Sequence, residues 1–217
     1  MNKGIGPEGY YEKHYLTRSW HFYRGILAKI VSEGREAGTV LDLGAGVGYL
    51  VEACTRWGIE CVGLEGSAQA VEMGRARFPD MELKQFLLSN SLPYDDESFA
   101  CVIMNQVVEH LEPNVAKHCI NESFRVLQPK GSLIIYSPSK FNRQQRLDDP
   151  THINLYSPKE LQELLYNAGF CDIKSCDSPL HCLGNNFWGN HLMKLIFKLI
   201  PYQGLSATAN CTAFKSA

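Results

Sequence analysis

The chain has 217 residues, of which 45% are hydrophobic, and its formal net charge at pH 7 is −2. This length suits one α/β domain with a small extension, and the composition provides enough apolar side chains for a substantial core. The slightly acidic balance argues against a nucleic-acid partner, because tracking a phosphate backbone requires a basic surface. Residues 1–15 lack the apolar region of a signal peptide and no stretch is long enough to span a membrane, so we expect a cytoplasmic protein without a transmembrane segment.

Hydrophobic periodicity predicts helices that alternate with strands along the chain. Aromatic and apolar residues recur at helical spacing over residues 10–33, which predicts one or two N-terminal helices within a helical cap of residues 1–38. In the domain that follows, residues 39–217, the predicted strands are 39–44, 60–65, 82–88, 99–105, 131–137, 170–177 and 208–215. The predicted helices are 47–57, 67–77, 113–127, 158–168 and one near 187–200. Strands that alternate with helices predict a mostly parallel sheet.

The stretch Thr39–Leu50 carries the clearest functional signal. An apolar strand leads into Asp42 and then into a glycine loop with Gly44, Gly46 and Gly48, after which a helix begins. Glycines let the backbone turn sharply and approach a ligand, and the free N–H groups at a helix N-terminus face that ligand. The stretch therefore predicts a binding site for a nucleotide-like cofactor.

The glycine spacing separates two classes of cofactor. A dinucleotide-binding loop, G-x-G-x-x-G, would place its third glycine at position 49, where this chain has Tyr49. The loop also lacks the G-K-[ST] sequence of a P-loop, and a nicotinamide-dependent oxidoreductase is the weaker alternative. The acid that ends the next predicted strand, Glu65, lies where a carboxylate accepts hydrogen bonds from ribose hydroxyls, and both cofactor classes use such an acid.

The order of the motifs resembles that of the class I S-adenosylmethionine-dependent methyltransferases. The spacing D-x-G-x-G-x-G from Asp42 is similar to their first motif. Ser91–Glu112 is similar to their leucine–proline turn, fourth strand and following His, and Phe124–Pro138 to their Pro–Lys–Gly turn and fifth strand. The resemblance implies a Rossmann-like three-layer α/β sandwich with N-terminal helices and a seven-stranded, mostly parallel sheet whose last strand is antiparallel. It also implies S-adenosylmethionine as the cofactor and S-adenosylhomocysteine as its product.

The resemblance further implies cofactor contacts at the carboxyl ends of the strands. Asp42 and the glycine loop would face the methionine portion, and Glu65 would hold the ribose. The family usually places an acid before its leucine–proline turn to accept from the adenine amine. Leu87–Ser91 contains no acid, so Ser89 or Asn90 is either the acceptor or a turn former. The expected cofactor-binding residues are Asp42, Gly44, Ala45, Gly46, Gly48, Glu65, Gly66, Ser67, Ser89, Asn90, Asn105 and Gln106.

Two histidines are the candidate catalytic residues. His110, in the sequence VVEHL, occupies a position where the resembling family often has His, and its structural alternative is packing at a helix start. His152 lies in a D-P-x-H sequence after the fifth strand, and in the resembling family a similar segment borders the acceptor site. A neutral imidazole there can deprotonate a hydroxyl as its oxygen attacks the methyl group. The structural alternative for His152 is a tie between this loop and the sheet.

The sequence predicts no metal site. None of the eight cysteines forms a C-x-x-C pair, and their spacing matches no common zinc pattern. Reduced thiols are therefore expected in a cytosolic chain.

The acceptor is predicted only by class. Asn105 and Gln106 would line the sulfonium end of the cofactor. Base-amine methyltransferases have an Asn or Asp, two prolines and an aromatic residue at this place, whereas this chain has Asn105-Gln106-Val107-Val108. We therefore expect a small-molecule or saccharide acceptor methylated at oxygen, and no nucleic acid. The segment Asn185–Gly204 predicts an amphipathic helix that packs on the domain, caps the pocket, forms a homodimer contact or lies on a membrane surface. A non-catalytic binding or scaffold subunit with the same fold stays open as an alternative.

Overall fold

Seven strands form one sheet in the part of the chain that the structure describes. The computed structural model describes residues 19–175, 177, 195, 196, 199 and 206–217. The strands are β1 (Val40–Leu43), β2 (Cys61–Glu65), β3 (Glu82–Gln85), β4 (Phe99–Asn105), β5 (Leu127–Tyr136), β6 (Cys171–Ser175) and β7 (Cys211–Phe214). Their order is β3-β2-β1-β4-β5-β7-β6, in which β7 is antiparallel to both neighbours and the other pairs are parallel. The predicted seven-stranded, mostly parallel sheet with an antiparallel last strand is confirmed.

The helices follow the predicted pattern closely. The described helices are α1 (Arg24–Ser32), α2 (Tyr49–Arg56), α3 (Ala68–Arg77), α4 (Pro113–Val126), α5 (Arg143–Asp148) and α6 (Pro158–Asn167), with 3₁₀ turns at Trp20–Tyr23 and Val108–His110. The sequence does not predict α5 or the 3₁₀ turns, because each is too short to show a hydrophobic period. The helix predicted near 187–200 lies mostly outside the described residues. Within that range only Leu195, Ile196 and Leu199 are described, and all three are helical.

Three strands differ from their predicted bounds by three or four residues at one end, namely β3, β5 and β7, which begins at Cys211 and not at residue 208. β5 begins at Leu127 and not at residue 131, because the Pro–Lys–Gly turn is a bulge within the strand. There the N–H of Lys130 donates to the carbonyl oxygen of Lys215 at 3.1 Å. β3 ends early, because the N–H of Asn90 donates to the carbonyl oxygen of Leu87 at 3.0 Å and turns the chain away.

Serine caps fix the starts of two helices. The Ser67 hydroxyl accepts a hydrogen bond from the N–H of Ala70 at the start of α3. Ser157 and Glu160 form a reciprocal capping box at the start of α6, and Pro158 occupies its first turn. The predicted start of the helix at residue 158 is therefore confirmed.

The apolar core lies on both faces of the sheet. In β1, Leu41 and Leu43 belong to a cluster with residues of α4 and α6, whereas Val40 belongs to a second cluster with residues of α1, α2 and α3. This alternation is the two-residue period of a strand. The sheet therefore lies between two helical layers, as the predicted three-layer sandwich requires.

The cysteines of the described residues are not cross-linked. Free thiols are found at Cys54, Cys61, Cys101, Cys119, Cys171 and Cys211, whereas Cys176 and Cys182 lie outside the described residues. Within the described ranges, no helix combines the length and the apolar character needed to cross a bilayer.

The carboxyl ends of β2, β1, β4 and β5 meet at one edge of the sheet. The chain runs from β1 to β2 on one side, and β4 lies on the other side of β1, so the strand order reverses at β1. Ligands of open α/β sheets bind at such a reversal, beyond the carboxyl ends of the strands. The fold therefore places the candidate site at this edge.

A substitution of Gly63 tests how tightly β2 is packed near this edge of the sheet. A Cβ atom on Gly63 would lie 2.8 Å from Cδ1 of Leu83, 2.8 Å from Cγ2 of Val51 and 2.9 Å from Cβ of Ala45. We expect Gly63→Ala to lower the free energy of unfolding in urea by about 1–3 kcal/mol, the usual cost of overpacking a core. The matched control is Gly25→Ala in α1, where a Cβ atom would meet nothing within 4 Å and a helical alanine stabilises. Equal effects of the two substitutions would contradict this account of the packing.

Candidate cofactor and acceptor site

The glycine loop joins β1 to α2 and lies against the end of β2. The N–H groups of Gly44 and Ala45 both donate to the carbonyl oxygen of Leu64, at 2.8 and 3.0 Å. Gly44, Gly46 and Gly48 have φ angles of 73°, 56° and 81°, in the left-handed region that L side chains rarely adopt. The backbone conformation by itself therefore explains three alternating glycines.

Protein atoms fill the side-chain space of two of these glycines. A Cβ atom on Gly44 would lie 2.5 Å from Cγ2 of Val107, and one on Gly48 would lie 2.4 Å from Sδ of Met81. The sequence predicts that missing Cβ atoms open space for a ligand, but at these two positions they make room for the protein's own side chains. The contact with Val107 also joins the loop to the segment that follows β4.

Glu65 is the last residue of β2, and its carboxylate binds both the glycine loop and the turn that follows β2. Its Oε2 accepts from the N–H of Gly46 at 2.8 Å, and its Oε1 accepts from the N–H of Ser67 at 2.8 Å. Its side chain is buried, and charge-assisted hydrogen bonds of this kind hold a carboxylate firmly in one orientation. A carboxylate has roughly four acceptor sites, so these two bonds are compatible with further bonds from ribose hydroxyls.

Asp42 is a buried acid in the strand before the loop. It lies in β1 opposite Gly63 of β2 and Ile103 of β4, and it is 3% exposed. Burial raises the pKa of Asp42 to about 8, and the nearby charge of Glu65 adds to the rise. The acid is therefore mostly protonated near neutral pH, and a cation bound beside it would favour the carboxylate.

These residues fit S-adenosylmethionine, which carries an ammonium group and a ribose. Asp42 is an acid for the cation, Glu65 accepts from hydroxyls, and Gly46 brings its backbone close to Glu65. Gly66 and Ser67 follow Glu65 directly, so the structure brings together the predicted residues of the first two strand ends.

Ser89 and Asn90 follow β3, the strand that pairs with β2. Both are exposed in the turn after β3, where the N–H of Asn90 binds the carbonyl oxygen of Leu87. Their predicted contact with adenine stays a prediction.

The end of β4 turns sharply at Gln106. This residue has a φ of 57°, which is uncommon for a residue other than glycine and stores strain. Its N–H donates to the carbonyl oxygen of Tyr136 at 2.8 Å, and its side-chain Nε2 lies 3.3 Å from the same oxygen. Asn105 pairs with Tyr136 in the sheet. This turn directs Val107 onto the glycine loop and starts the 3₁₀ turn that carries His110.

His110 and His152 lie side by side, with ring centroids 4.8 Å apart. His110 is in the 3₁₀ turn after β4, and His152 is in the loop between α5 and α6. Burial lowers the pKa of His110, and the neighbouring His152 also lowers it. The structure thus brings into contact two histidines that the sequence identifies only one at a time.

Both imidazoles use Nδ1 as a donor to the backbone. Nδ1 of His110 lies 3.1 Å from the carbonyl oxygen of Thr151, and Nδ1 of His152 lies 3.0 Å from that of Gln145. A carbonyl oxygen only accepts, so Nδ1 of each neutral ring carries the hydrogen and Nε2 carries the lone pair. Nε2 of His152 also lies 3.9 Å from Oδ2 of Asp149. Each Nε2 therefore has the electron pair needed to accept a proton or to bind a cation.

Glu109 adjoins the histidines, and sequence analysis misses it. Its side chain is 0% exposed, and neither carboxylate oxygen has a hydrogen-bond partner within the described part of the chain. Burial raises the pKa of Glu109 to about 8. The nearby Ser137 hydroxyl donates to the carbonyl oxygen of Pro138 and not to this carboxylate. One ligand-type atom from each of Glu109, His110 and His152 lies within 4.8 Å of the others. The Glu–His pair in VVEHL is the available signal, but only the fold brings His152 to it.

Asn154 holds the His152 loop to this turn. Its N–H donates to the carbonyl oxygen of Glu109 at 3.0 Å, and its side-chain Nδ2 donates to that of Leu111 at 3.2 Å. The Glu109–His110–His152 cluster is therefore braced by backbone contacts from both of the segments that carry it.

Comparisons with known proteins agree with this fold. A family model described as a methyltransferase domain matches residues 13–175. A probable S-adenosylmethionine-dependent methyltransferase of Mycolicibacterium smegmatis is 32% identical over 134 residues, which cover 60% of this chain and 51% of that protein. One of Mycobacterium tuberculosis (strain H37Rv) is 31% identical over 140 residues, which cover 63% of this chain and 50% of that protein. The chain thus spans about half the length of the curated relatives it matches.

A solved structure extends the likeness to the fold. The crystal structure of an S-adenosylmethionine-dependent methyltransferase from Archaeoglobus fulgidus superposes with a TM-score of 0.73 at 18% identity, over 96% of this chain and 100% of that one. At this identity the likeness concerns the fold alone. The family match covers well over half of the chain and agrees with the order of the motifs. The chain therefore belongs to the class I S-adenosylmethionine-dependent methyltransferase family.

Proposed function

We propose that this chain transfers a methyl group from S-adenosylmethionine to an oxygen atom of a small molecule or saccharide. The observation that carries the proposal is the common edge of the sheet. There Glu65 is bound to the glycine loop, while His110 follows β4 and contacts His152, which lies in the loop between α5 and α6.

The cofactor side of the cleft is assigned to the ends of β1 and β2. Asp42 would hold the ammonium group of the cofactor, directly or through water, and Glu65 would hold the ribose hydroxyls. Both carboxylates are buried, and Glu65 is already oriented by two backbone N–H groups. Groups fixed in place before binding lose little freedom when a ligand arrives, which favours affinity.

The acceptor side is assigned to the ends of β4 and β5. When bound, S-adenosylmethionine supplies a methyl group that its sulfonium centre has already activated. The protein's own task is then to align the acceptor, exclude water and remove its proton. His152 is the proposed general base, since its Nδ1 is engaged with Gln145 and its Nε2 carries the lone pair. His110 stands beside it as the second imidazole.

The proposed class of acceptor follows from the net charge of the chain and from the two imidazoles. A formal net charge of −2 provides no basic footprint for a nucleic acid, and neutral imidazoles suit an acceptor that must lose a proton. We therefore favour hydroxylated small molecules and saccharides.

The ribose contact of Glu65 is tested by Glu65→Ala. We expect the affinity for S-adenosylmethionine, measured by calorimetry, to fall by roughly 10- to 150-fold, because hydrogen bonds to a charged group contribute about 1.5–3 kcal/mol. The matched control is Glu60→Ala at the other end of the same strand, where the exposed carboxylate accepts from Oγ1 of Thr39. Unchanged affinity in Glu65→Ala would refute the assignment.

The Asp42 contact predicts a proton release. The pKa of Asp42 is about 8 without ligand, so the acid is protonated at about pH 6.5, and a bound ammonium group lowers that pKa. Binding of S-adenosylhomocysteine at this pH should therefore release up to about one proton per site. Calorimetry in buffers of different ionisation enthalpy counts these protons.

Asp42→Asn should abolish that release, because the amide does not ionise. Asp80→Asn, at an exposed position, controls for the chemical change itself. The same proton count in the natural chain and in Asp42→Asn would show that Asp42 does not face the ammonium group.

The base is tested by His152→Ala. The assay measures the release of S-adenosylhomocysteine with the best acceptor from a panel of phenols, catechols and saccharides. We expect kcat to fall by roughly a hundred- to ten-thousand-fold while the affinity for S-adenosylmethionine is nearly unchanged. Lys159→Ala, on an exposed face of α6, should keep its turnover. A normal kcat in His152→Ala would leave alignment as the main catalytic device.

A further inference from the structure

We propose that Glu109, His110 and His152 bind a divalent transition-metal ion of the Zn²⁺, Mn²⁺ or Fe²⁺ type, which takes the acceptor oxygen as a further ligand. The binding of the ion stands on the cluster alone, whereas its action on the acceptor rests on the proposed function. Sequence spacing predicts no metal here, because the ligands come from two segments that only the fold brings together.

The donor atoms suit this class of ion. Two imidazoles and one carboxylate form the protein ligand set of many zinc and iron enzymes, whereas Mg²⁺ and Ca²⁺ prefer oxygen ligands throughout. The ligand-type atoms of the three residues lie within 4.8 Å of one another. Ligands about 2.1 Å from one ion lie about 3.4 Å apart in a tetrahedral site, so small side-chain rotations close the site. Three protein ligands leave a position for the acceptor.

The surroundings orient the imidazoles as metal ligands are oriented. Nδ1 of each ring donates to a backbone carbonyl, that of Thr151 for His110 and that of Gln145 for His152. The Thr151 hydroxyl in turn donates to Oδ1 of Asp149. Such outer hydrogen bonds fix the tautomer and leave Nε2 for the ion.

The buried carboxylate of Glu109 is an independent indication that the cluster binds a ligand. Its carboxylate is 0% exposed and has no hydrogen-bond partner among the residues that the structure describes. A buried ionised carboxylate without a partner is costly, and a cation supplies that partner. Asp149 adds another carboxylate nearby, with Oδ2 at 3.9 Å from Nε2 of His152.

The place of the cluster sets the role of the ion. Val107, two residues before Glu109, packs against Gly44 of the glycine loop. The ion would therefore be held by the segment that packs against the cofactor loop, on the side of the cleft proposed for the acceptor.

The reaction balances without any oxidant or reductant. The acceptor hydroxyl binds the ion and loses its proton to water more readily, because the ion stabilises the oxyanion. The oxygen then forms a bond to the methyl carbon as the carbon–sulfur bond breaks, and that electron pair remains on sulfur. The products are the methylated acceptor, S-adenosylhomocysteine and one proton. In this scheme Nε2 of His152 binds the ion and the acceptor proton passes to water, so a bound ion replaces His152 as the means of deprotonating the acceptor.

The first experiment measures metal binding without any turnover. The full chain is freed of metal with a chelator and titrated with Zn²⁺ by calorimetry, and with Co²⁺ by its visible absorption. We expect one ion per chain, with affinity lowered by at least about 100-fold in Glu109→Gln and in His152→Ala, since even outer-shell changes cost 10- to 100-fold. His21→Ala, at an exposed histidine outside the cluster, should bind as the natural chain does. If Zn²⁺ and Co²⁺ do not bind at one ion per chain, or if Glu109→Gln binds them as tightly as the natural chain does, the metal site is refuted. Glu109 would then be a protonated, neutral acid.

The second experiment asks whether the ion meets the acceptor. Catechol is added to the Co²⁺-loaded chain in the presence of S-adenosylhomocysteine, and we expect the visible spectrum to change as an oxygen enters the coordination sphere. An unchanged spectrum, or full turnover after metal removal, would overturn the role toward the acceptor. A chain that binds the ion but not S-adenosylmethionine would refute the proposed function and leave the metal site standing.

Discussion

The hydrogen bonds of the Glu65 carboxylate determine the geometry of the cofactor side. One oxygen binds the N–H of Gly46 in the loop after β1, and the other binds the N–H of Ser67 in the turn after β2. A single buried side chain thus fixes two loops that belong to different strands. Loss of the carboxylate would leave two backbone N–H groups without their acceptor, and a buried donor without a partner is costly. The position of the glycine loop, and of all that packs on it, follows from this arrangement.

The segment after β4 packs against the glycine loop through Val107. Val107 fills the space that a side chain on Gly44 would need, and Gln106 adopts a left-handed conformation to direct it there. The same turn places Glu109 and His110 at the edge of the sheet. The geometry of the cleft therefore depends on a strained residue, and strained conformations are often found at functional sites.

The strand, glycine loop and helix around Asp42 could be predicted from the sequence because their signal is local. The spacing from Asp42 through the glycines and the acid Glu65 at the next strand end lie within one strand–loop–helix unit and the strand after it. Their residue types alone indicate the backbone conformation and the buried carboxylates. The role of Gly44 and Gly48 could not be predicted in this way. They make room for the side chains of Val107 and Met81, which come from later in the chain, and not for a ligand.

The acceptor side could be predicted only in pieces. His110 and His152 are recognisable one at a time, but their 4.8 Å separation depends on the pairing of β4 with β5 and on the hydrogen bonds of Asn154. Glu109 carries no periodic signal, since an acid next to a histidine in a short turn is usually exposed. Its complete burial is a property of the tertiary structure. The segment 185–204 lies almost entirely outside the described residues, so its predicted roles at the pocket or in a homodimer stay predictions.

The proposed function requires the edge formed by Asp42, the glycine loop and Glu65 to bind S-adenosylmethionine. Calorimetry on the natural full chain with S-adenosylmethionine, S-adenosylhomocysteine and NAD tests it most directly. The account predicts that the first two bind one per chain, with a dissociation constant of about 10 μM or lower, near −7 kcal/mol or more favourable. It also predicts no measurable binding of NAD, because Tyr49 stands where a dinucleotide loop has glycine. Binding of NAD at comparable affinity, or binding of none of the three, would contradict it.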